Sequence, residues 1–217
     1  MNQKTTKPAA RPTAREKLLD AAFSVIREQG YSATSVDDLC RTAGVTKGAF
    51  FHHFPSKEAL AVAAANHWSE ATGAFFAAAP YHDPKDPLDR VLGYVDFRRA
   101  ILQGDVPEFT CLVGTMVQEA YGSSPDIRDA CRASIFDHAA NIERDIAEAM
   151  AERGINNAGW TARSLALHTQ AVLQGAFILA KAEGTADGGA NLAAQSVDHL
   201  RRYIEMLFTT EKLSHAA

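Results

Sequence analysis

The chain has 217 residues, of which 47% are hydrophobic, and a formal net charge of −4. This is enough apolar material for one or two packed domains, and no apolar run reaches the roughly 18 residues of a membrane span. The three cysteines, Cys40, Cys111 and Cys131, are odd in number and widely spaced. They argue against a disulfide framework or a zinc site and indicate reduced thiols in a cytoplasmic protein.

The first twelve residues are basic, contain two prolines and lack the apolar core of a secretory signal. We expect a flexible N-terminal arm, which either touches DNA or is a plain tail. Residues 13–29 predict the first helix, because apolar residues recur there at helical spacing, and Gly30 ends it. The apolar positions are Leu18, Leu19, Ala22, Phe23 and Ile26.

Residues 34–60 predict two short helices joined by a turn and followed by the start of a third. Ser35 can cap the first of them, and Gly44 can end it. Thr46 can cap the second, over residues 47–54, and Pro55 ends it because proline disfavours helical geometry in the preceding residue. This is the outline of a helix-turn-helix, whose second helix enters the DNA major groove.

The second helix of this motif has the thin, polar leading edge that a groove-entering helix needs. Thr46 offers a hydroxyl group and Lys47 a positive charge, while Gly48 lets the backbone approach a base or phosphate closely. We expect Phe51 and His52 to face the DNA backbone. The bland alternative is a helical hairpin without a role in DNA binding, but the joint occurrence of these signals favours DNA.

Two residues at helix starts complete the predicted DNA-binding set. Ser35 caps the first helix of the motif. Lys57 lies in the first turn of the helix after Pro55, where both its charge and the free backbone N–H groups suit a phosphate.

The segment from about residue 15 to residue 60 resembles the DNA-binding domain of the tetracycline-repressor (TetR) family. The resemblance implies three helices that bind operator DNA as a dimer, with DNA roles for Thr46, Lys47, Gly48, Phe51, His52 and Lys57. Relatives usually have Tyr at the position of Phe51, so we expect an apolar contact there, with a sugar or a thymine methyl group. The matching motifs are Gly30-Tyr31, Thr34-Ser35-Val36, Ala43-Gly44-Val45, Lys47-Gly48, His52-His53-Phe54 and Ser56-Lys57-Glu58.

The charge is divided unevenly along the chain. Residues 1–60 contain nine Lys or Arg against six Asp or Glu, and the remainder contains thirteen against twenty. The first part is therefore basic (+3) and the second acidic (−7). A basic segment followed by an acidic one is typical of a small DNA-binding domain joined to a separate ligand-sensing domain.

The rest of the chain also predicts helices, with no β pattern and no repeat. We expect an all-α fold of about nine helices, with a flexible arm over residues 1–12, a helix-turn-helix domain over 13–60, and a helical ligand-binding and dimerisation domain over 61–217. The loop over 80–87 and the linker over 183–189 separate some of these helices. The predicted ranges are 56–78, 88–103, 107–121, 125–153, 161–182 and 191–209.

The last two helices carry apolar or small residues on more than one face, so they need a second burial partner. A second copy of the chain would supply it as a four-helix interface, and the family resemblance implies the same homodimer. Plain core packing is the alternative role of these residues. The predicted interface residues are Val172, Gly175, Ala176, Leu179, Val197, Leu200, Ile204 and Leu207.

A ligand-sensing domain needs a cavity. The residues that we expect to line it are aromatic and polar, which suits a small, partly hydrophobic molecule. Aromatic residues at helical spacing are more often core, and a lone His is more often structural. The candidates are Trp68, Phe76, Tyr94, Phe97, Phe109, Cys111, Met116, His138 and His168.

Cys111 falls one turn into the helix expected from about Pro107, where the helix dipole lowers a thiol pKa. The surrounding stretch resembles relatives that respond to reactive electrophiles, whereas a buried, inert thiol is the alternative.

The sequence contains no nucleophile elbow, phosphate loop, paired metal-binding histidines or glycine fingerprint, so we expect neither an enzyme nor a cofactor. The function predicted from the sequence is a homodimeric transcriptional repressor, released from operator DNA by a small, partly hydrophobic ligand. The alternatives are an activator with the same DNA head and a helical adaptor that keeps the fold without binding DNA.

Overall fold

The computed structural model describes residues 11–156 and 159–214. Within these residues the chain forms ten α-helices, one 3₁₀ turn at Pro80–His82 and no strand, so the all-α prediction is confirmed. No helix in the described part is long and apolar enough to cross a membrane. The helices are α1 Ala14–Gln29, α2 Val36–Ala43, α3 Lys47–His53, α4 Lys57–Ala77, α5 Pro87–Ala100, α6 Val106–Phe109, α7 Leu112–Ala120, α8 Pro125–Glu152, α9 Ala162–Glu183 and α10 Ala186–Ser214.

The single helix predicted over residues 107–121 is wrong, because the chain breaks into α6 and α7 there. Thr110 (ψ 161°) and Cys111 (ψ 122°) both have extended backbone geometry. The short helix α6 begins with a capping box between Asp105 and Glu108, and it packs against α1. Cys111 then caps α7, accepting a hydrogen bond from Gly114 N to its sulfur at 3.4 Å.

The flexible linker predicted over residues 183–189 is also wrong, because α10 begins at Ala186. Gly184 ends α9 in the left-handed conformation (φ 83°), and Thr185 accepts hydrogen bonds from Gly188 N and Gly189 N at the start of α10. Gly189 is needed there, since a Cβ on it would lie 2.9 Å from the carbonyl oxygen of Ala180 on α9. The glycines permit close helix packing rather than a loose connection.

Two clusters of buried side chains form the interior. The first lies among α1–α4, and it continues into α7 and α8 through Leu112, Met116 and Ile127. The second lies among α5, α8, α9 and α10 and includes the end of α4. The first cluster includes residues on both sides of residue 60, the boundary predicted between 13–60 and 61–217. Residues 1–10 of the predicted arm lie outside the described part.

Candidate nucleic-acid interface and effector cavity

The helix-turn-helix is defined by local hydrogen bonds at each helix end. Ser35 and Asp38 form a capping box at the start of α2, and Gly44 ends α2 in the left-handed conformation (φ 63°). Thr46 Oγ1 accepts a hydrogen bond from Ala49 N at 3.1 Å and so caps α3. Phe50 is buried behind α3 in the same cluster as Leu39 of α2. These contacts fix the direction in which α3 points.

The leading edge of α3 is exposed. Thr46, Lys47, Gly48 and His52 are all accessible, and Phe51 has an exposed fraction of 53%. Lys47 Nζ lies 2.8 Å from an Asp37 carboxylate oxygen on α2, and this contact raises the pKa of Lys47. Lys47 is therefore fully charged at neutral pH, but in the absence of DNA its charge is shared with an exposed acid.

Lys57 does not project towards solvent as the sequence prediction requires. Its ammonium group donates to the carbonyl oxygens of Tyr31 (3.0 Å) and Thr34 (2.8 Å) and lies 4.3 Å from the Tyr31 ring centre. Burial lowers the pKa of Lys57. The side chain of Lys57 thus ties the start of α4 to the segment between α1 and α2, and two of its three N–H donors are engaged there. Ser35 is likewise engaged in its capping box.

Four hydrogen bonds attach the helix-turn-helix part to the rest of the chain. The Glu119 carboxylate on α7 accepts hydrogen bonds from Tyr31 N (3.2 Å) and Ser32 N (2.6 Å). Glu58 on α4 accepts from the Ser124 hydroxyl group at the start of α8. Arg27 on α1 donates to the carbonyl oxygen of Glu108 on α6 at 2.9 Å.

A cavity of about 390 Å³ lies between α1 and α4–α9. Five of the nine predicted ligand-site residues line it, and they are Trp68, Phe76, Phe109, Cys111 and His138. The wall also includes Arg27 from α1, so the cavity reaches the helix-turn-helix part of the chain. Arg27 lies over the Trp68 ring at 5.1 Å, and burial lowers its pKa.

The other four predicted ligand-site residues lie elsewhere. Tyr94 is buried beside Phe76 and His138 and lines an adjoining cavity. The Phe97 ring packs at 5.3–5.7 Å against the rings of Phe75, Phe76 and Tyr81. Met116 and His168 line neither of these two cavities. Met116 is fully buried in the cluster behind the helix-turn-helix, and His168 is exposed on α9, against Tyr203 at 5.1 Å.

Three side chains form a hydrogen-bonded polar group beside the cavity. Tyr94 Oη lies 2.9 Å from His138 Nε2, and Gln170 Nε2 donates to Tyr94 Oη at 3.4 Å. Burial, reinforced by the nearby positive charge of Arg98, lowers the pKa of His138 to about 4. His138 is therefore neutral at neutral pH and contributes a hydrogen-bonding group but no charge.

The sequence prediction missed Arg27, Arg98, Gln170 and Gln174, which all line the cavity. Nothing in their local pattern marks them, since charged and amide residues at helical spacing ordinarily face solvent. Arg98 lies in the last turn of α5, next to the exposed Arg99. The two arginines differ only in their tertiary neighbours. Arg98 lies against Phe76 of α4 and Phe177 of α9, whereas Arg99 pairs with Asp198 of α10.

Cys111 lines the cavity and is half-buried, whereas Cys40 and Cys131 are buried. Burial raises the pKa of Cys40, and it raises the pKa of Cys131 to about 12. Cys111 is thus the most accessible of the three thiols, all of which are free.

The outer face of α9 and α10 differs from the predicted dimer surface. Ala176, Val197, Leu200 and Ile204 are buried inside the chain's own second cluster, so a partner cannot reach them. The prediction is wrong for these four because their stripe already faces α5 and α8. Val172, Gly175 and Leu207 are half-buried, and Leu179 is exposed. The outer face carries large exposed apolar side chains at Ile178, Leu179, Leu192, Tyr203 and Met206.

Two family models match the chain. The model described as bacterial regulatory proteins of the tetR family matches residues 18–64, and the model of the C-terminal domain of LmrA/YxaF-like transcriptional regulators matches residues 87–188. The chain belongs to the TetR family. The prediction of a DNA-binding transcriptional regulator is therefore confirmed. Such proteins typically carry a ligand-binding C-terminal domain, many are repressors, and they are normally not enzymes.

Individual relatives resemble this TetR-family chain to different extents. The transcriptional regulator LmrA of Bacillus subtilis is 27% identical over 141 residues, which cover 61% of this chain and 71% of LmrA. The transcriptional repressor DhaR of a Mycobacterium species is 44% identical over 51 residues, which cover 24% of this chain and 26% of DhaR. A solved TetR-family regulator from Chloroflexus aurantiacus aligns with a TM-score of 0.72 at 27% identity, covering 88% of this chain and 94% of that one.

Proposed function

We propose that this TetR-family chain acts in the cytoplasm as a homodimeric repressor that a small ligand releases from operator DNA. Residues 13–60 would read the operator, and residues 61–217 would bind the ligand and the partner subunit. The observation that carries the proposal is the exposed edge Thr46-Lys47-Gly48, presented on a helix whose apolar back is anchored through Phe50. An adaptor that does not bind DNA has no use for such an edge.

In this proposal α3 lies in the major groove. Thr46 and Lys47 contact bases or phosphates, and Gly48 allows the backbone to approach closely. Phe51, which has no hydroxyl group, contacts a sugar or a thymine methyl group, and His52 faces the phosphate backbone. Lys57 contributes indirectly, because it holds the segment between α1 and α2 against α4.

The proposed dimer uses the outer face of α9 and α10. Exposed apolar side chains that recur along two antiparallel neighbouring helices mark an interaction surface. Two copies packed on a two-fold axis would bury this face as a four-helix interface. The interface would consist mainly of Ile178, Leu179, Leu192, Tyr203 and Met206, with Gly175 allowing close approach.

Release from DNA requires that the ligand binds one arrangement of the dimer's two DNA-binding domains more tightly than the other. The cavity is placed for this because its wall includes Arg27 on α1 and Trp68 on α4, and both helices belong to the first cluster that supports α2 and α3. A ligand that displaces Arg27 from the carbonyl oxygen of Glu108 would remove one contact between the DNA-binding and ligand-binding parts of the chain. Repression is favoured over activation because the named relative DhaR is a repressor.

The test selects duplexes that bind the purified protein from a random DNA pool and measures the mass of the free protein by sedimentation. We expect a palindromic site, with half-sites separated by one or more helical turns of about 10 base pairs, and a dimer at micromolar concentration. Failure to enrich any duplex would support the adaptor, and a monomeric protein would contradict the two-fold arrangement. Repression is then tested with a reporter gene placed behind the selected site, where an increase in transcription would favour the activator.

A further inference from the structure

The cavity contains an arginine, Arg98, that no acid in the described part of the chain neutralises. The Arg98 side chain forms neither an ion pair nor a hydrogen bond with any residue among those described, whereas its neighbour Arg99 pairs with Asp198 at 2.6 Å. Arg98 is half-buried, and its side chain lines the cavity. A guanidinium group has five N–H donors, and leaving them unpaired in a half-buried site is costly unless a ligand or water accepts from them.

Two aromatic rings lie next to the Arg98 guanidinium group. Its central carbon lies 5.1 Å from the ring centre of Phe76 and 5.7 Å from that of Phe177. Cation–π attraction at these distances favours a guanidinium group near the two rings, and it leaves the N–H groups available as hydrogen-bond donors. A planar fork with free N–H groups matches a carboxylate, which it binds through two parallel hydrogen bonds.

The acids that line the cavity do not compensate Arg98. The Glu108 carboxylate is turned back to the start of its own helix, where it accepts from Asp105 N at 2.9 Å, and Asp137 is an exposed residue of α8. His138 and Tyr94 are uncharged at neutral pH, because burial lowers the pKa of His138 to about 4 and raises the pKa of Tyr94. The region around Arg98 is therefore positive, and it disfavours a cationic ligand.

The remaining wall defines the body of the ligand. Trp68, Phe75, Phe109 and Ile101 provide apolar surface, and a volume of about 390 Å³ accommodates one small organic molecule. The Gln174 side chain makes no hydrogen bond within the described part of the chain, so its amide group is free for a second polar contact. It fits there because Gly114 has no side chain, since a Cβ would lie 2.1 Å from Gln174 Oε1.

We propose that the effector is a small organic acid with an apolar body, whose carboxylate pairs with Arg98 beside Phe76 and Phe177. This inference rests on the proposed function, because it names the chemical class of the ligand that the cavity binds.

The test uses calorimetry with three acids, phenylbutyrate, naphthylacetate and decanoate, and with the primary amide and the amine of the same carbon skeleton. We expect the parent protein to bind at least one acid roughly tenfold or more tightly than its amide and amine. Arg98→Gln should abolish this preference. Arg98→Lys should restore it only in part, because the ammonium group cannot form the paired hydrogen bonds. Arg99→Gln is the matched control, with the same loss of charge at an exposed neighbour, and it should bind as the parent does.

Equal or tighter binding of the amides or amines by the parent protein would overturn the inference, even if Arg98→Gln failed to fold. So would the absence of any acid that binds more tightly than about 1 mM, or an unchanged preference in folded Arg98→Gln. Adding each ligand to the complex with the selected duplex separates the two proposals. An acid that needs Arg98 but does not release DNA would leave the inference standing and remove ligand-released repression. Release by an amine alone would do the reverse.

Discussion

The charge of Lys47 gives the most quantitative prediction for DNA binding. Lys47→Ala removes one exposed cation from the leading edge of α3, and a dimer loses two. Each phosphate contact contributes about 0.9 to the slope of log affinity against log salt concentration, so the magnitude of the slope should fall by about 1.8. The affinity defect of the variant should therefore be about 12-fold larger at 50 mM salt than at 200 mM. Fluorescence anisotropy with the selected duplex measures both affinities.

Two further variants sharpen this experiment. Asp37→Asn removes the acid that lies 2.8 Å from Lys47, so it should strengthen binding and steepen the salt dependence. Lys85→Ala is the control, because it removes an exposed lysine from the loop before α5 and should leave the slope unchanged. Parallel lines for Lys47→Ala and the parent would refute the assignment of Lys47 to a phosphate.

Three other predictions concern the dimer, the buried imidazole and the thiols. Leu179→Glu, which puts a charge on the outer face of α9, should raise the dimer dissociation constant at least tenfold in sedimentation, whereas Tyr121→Glu at another exposed apolar position should not. The pKa of His138, lowered from 6.5 to about 4 by burial, means that the unfolded chain binds more protons as pH falls through this range. As the pH falls from 6.5 to 4, the parent should therefore lose up to about 3 kcal/mol of unfolding free energy, and His138→Gln should not show this loss. Urea unfolding at several pH values measures both proteins, and identical pH profiles would contradict the prediction. N-ethylmaleimide should alkylate Cys111 first, because Cys111 is half-buried whereas burial raises the pKa of Cys131 to about 12. Mass spectrometry shows the order of alkylation. If the reagent also abolishes DNA binding by Cys111→Ser, Cys111 is not the sensor.

The helix-turn-helix could be predicted from the sequence because its boundaries are set locally. The side chains of Ser35 and Thr46 cap α2 and α3, and Gly44 adopts a conformation that other residues rarely adopt. Each of these interactions spans three or four residues, so the order of residues carries the information. The exposure of Thr46 and Lys47 agrees with this reading, although their contacts with DNA stay a prediction.

The cavity and the dimer face could not be predicted in the same way, because they depend on which helices become neighbours. On α9 the buried stripe includes Thr169 and Gln170, while the apolar Ile178 and Leu179 face outwards. Hydrophobic periodicity alone therefore does not identify the face of α9 that the fold buries. Lys57 shows the same limit, since a cation at a helix start suits a phosphate until the folded chain offers it two carbonyl oxygens.

Arg27 belongs to α1, yet its side chain forms part of the cavity wall. It also donates to the carbonyl oxygen of Glu108, a residue that follows it by 81 positions in the sequence. Exchanging α1–α3 with those of a relative, a natural way to give an existing sensor a new operator, would therefore replace part of the effector site as well. A hybrid joined at residue 60 should keep its partner subunit but change its inducer range, unless the donor segment supplies an arginine at the same place.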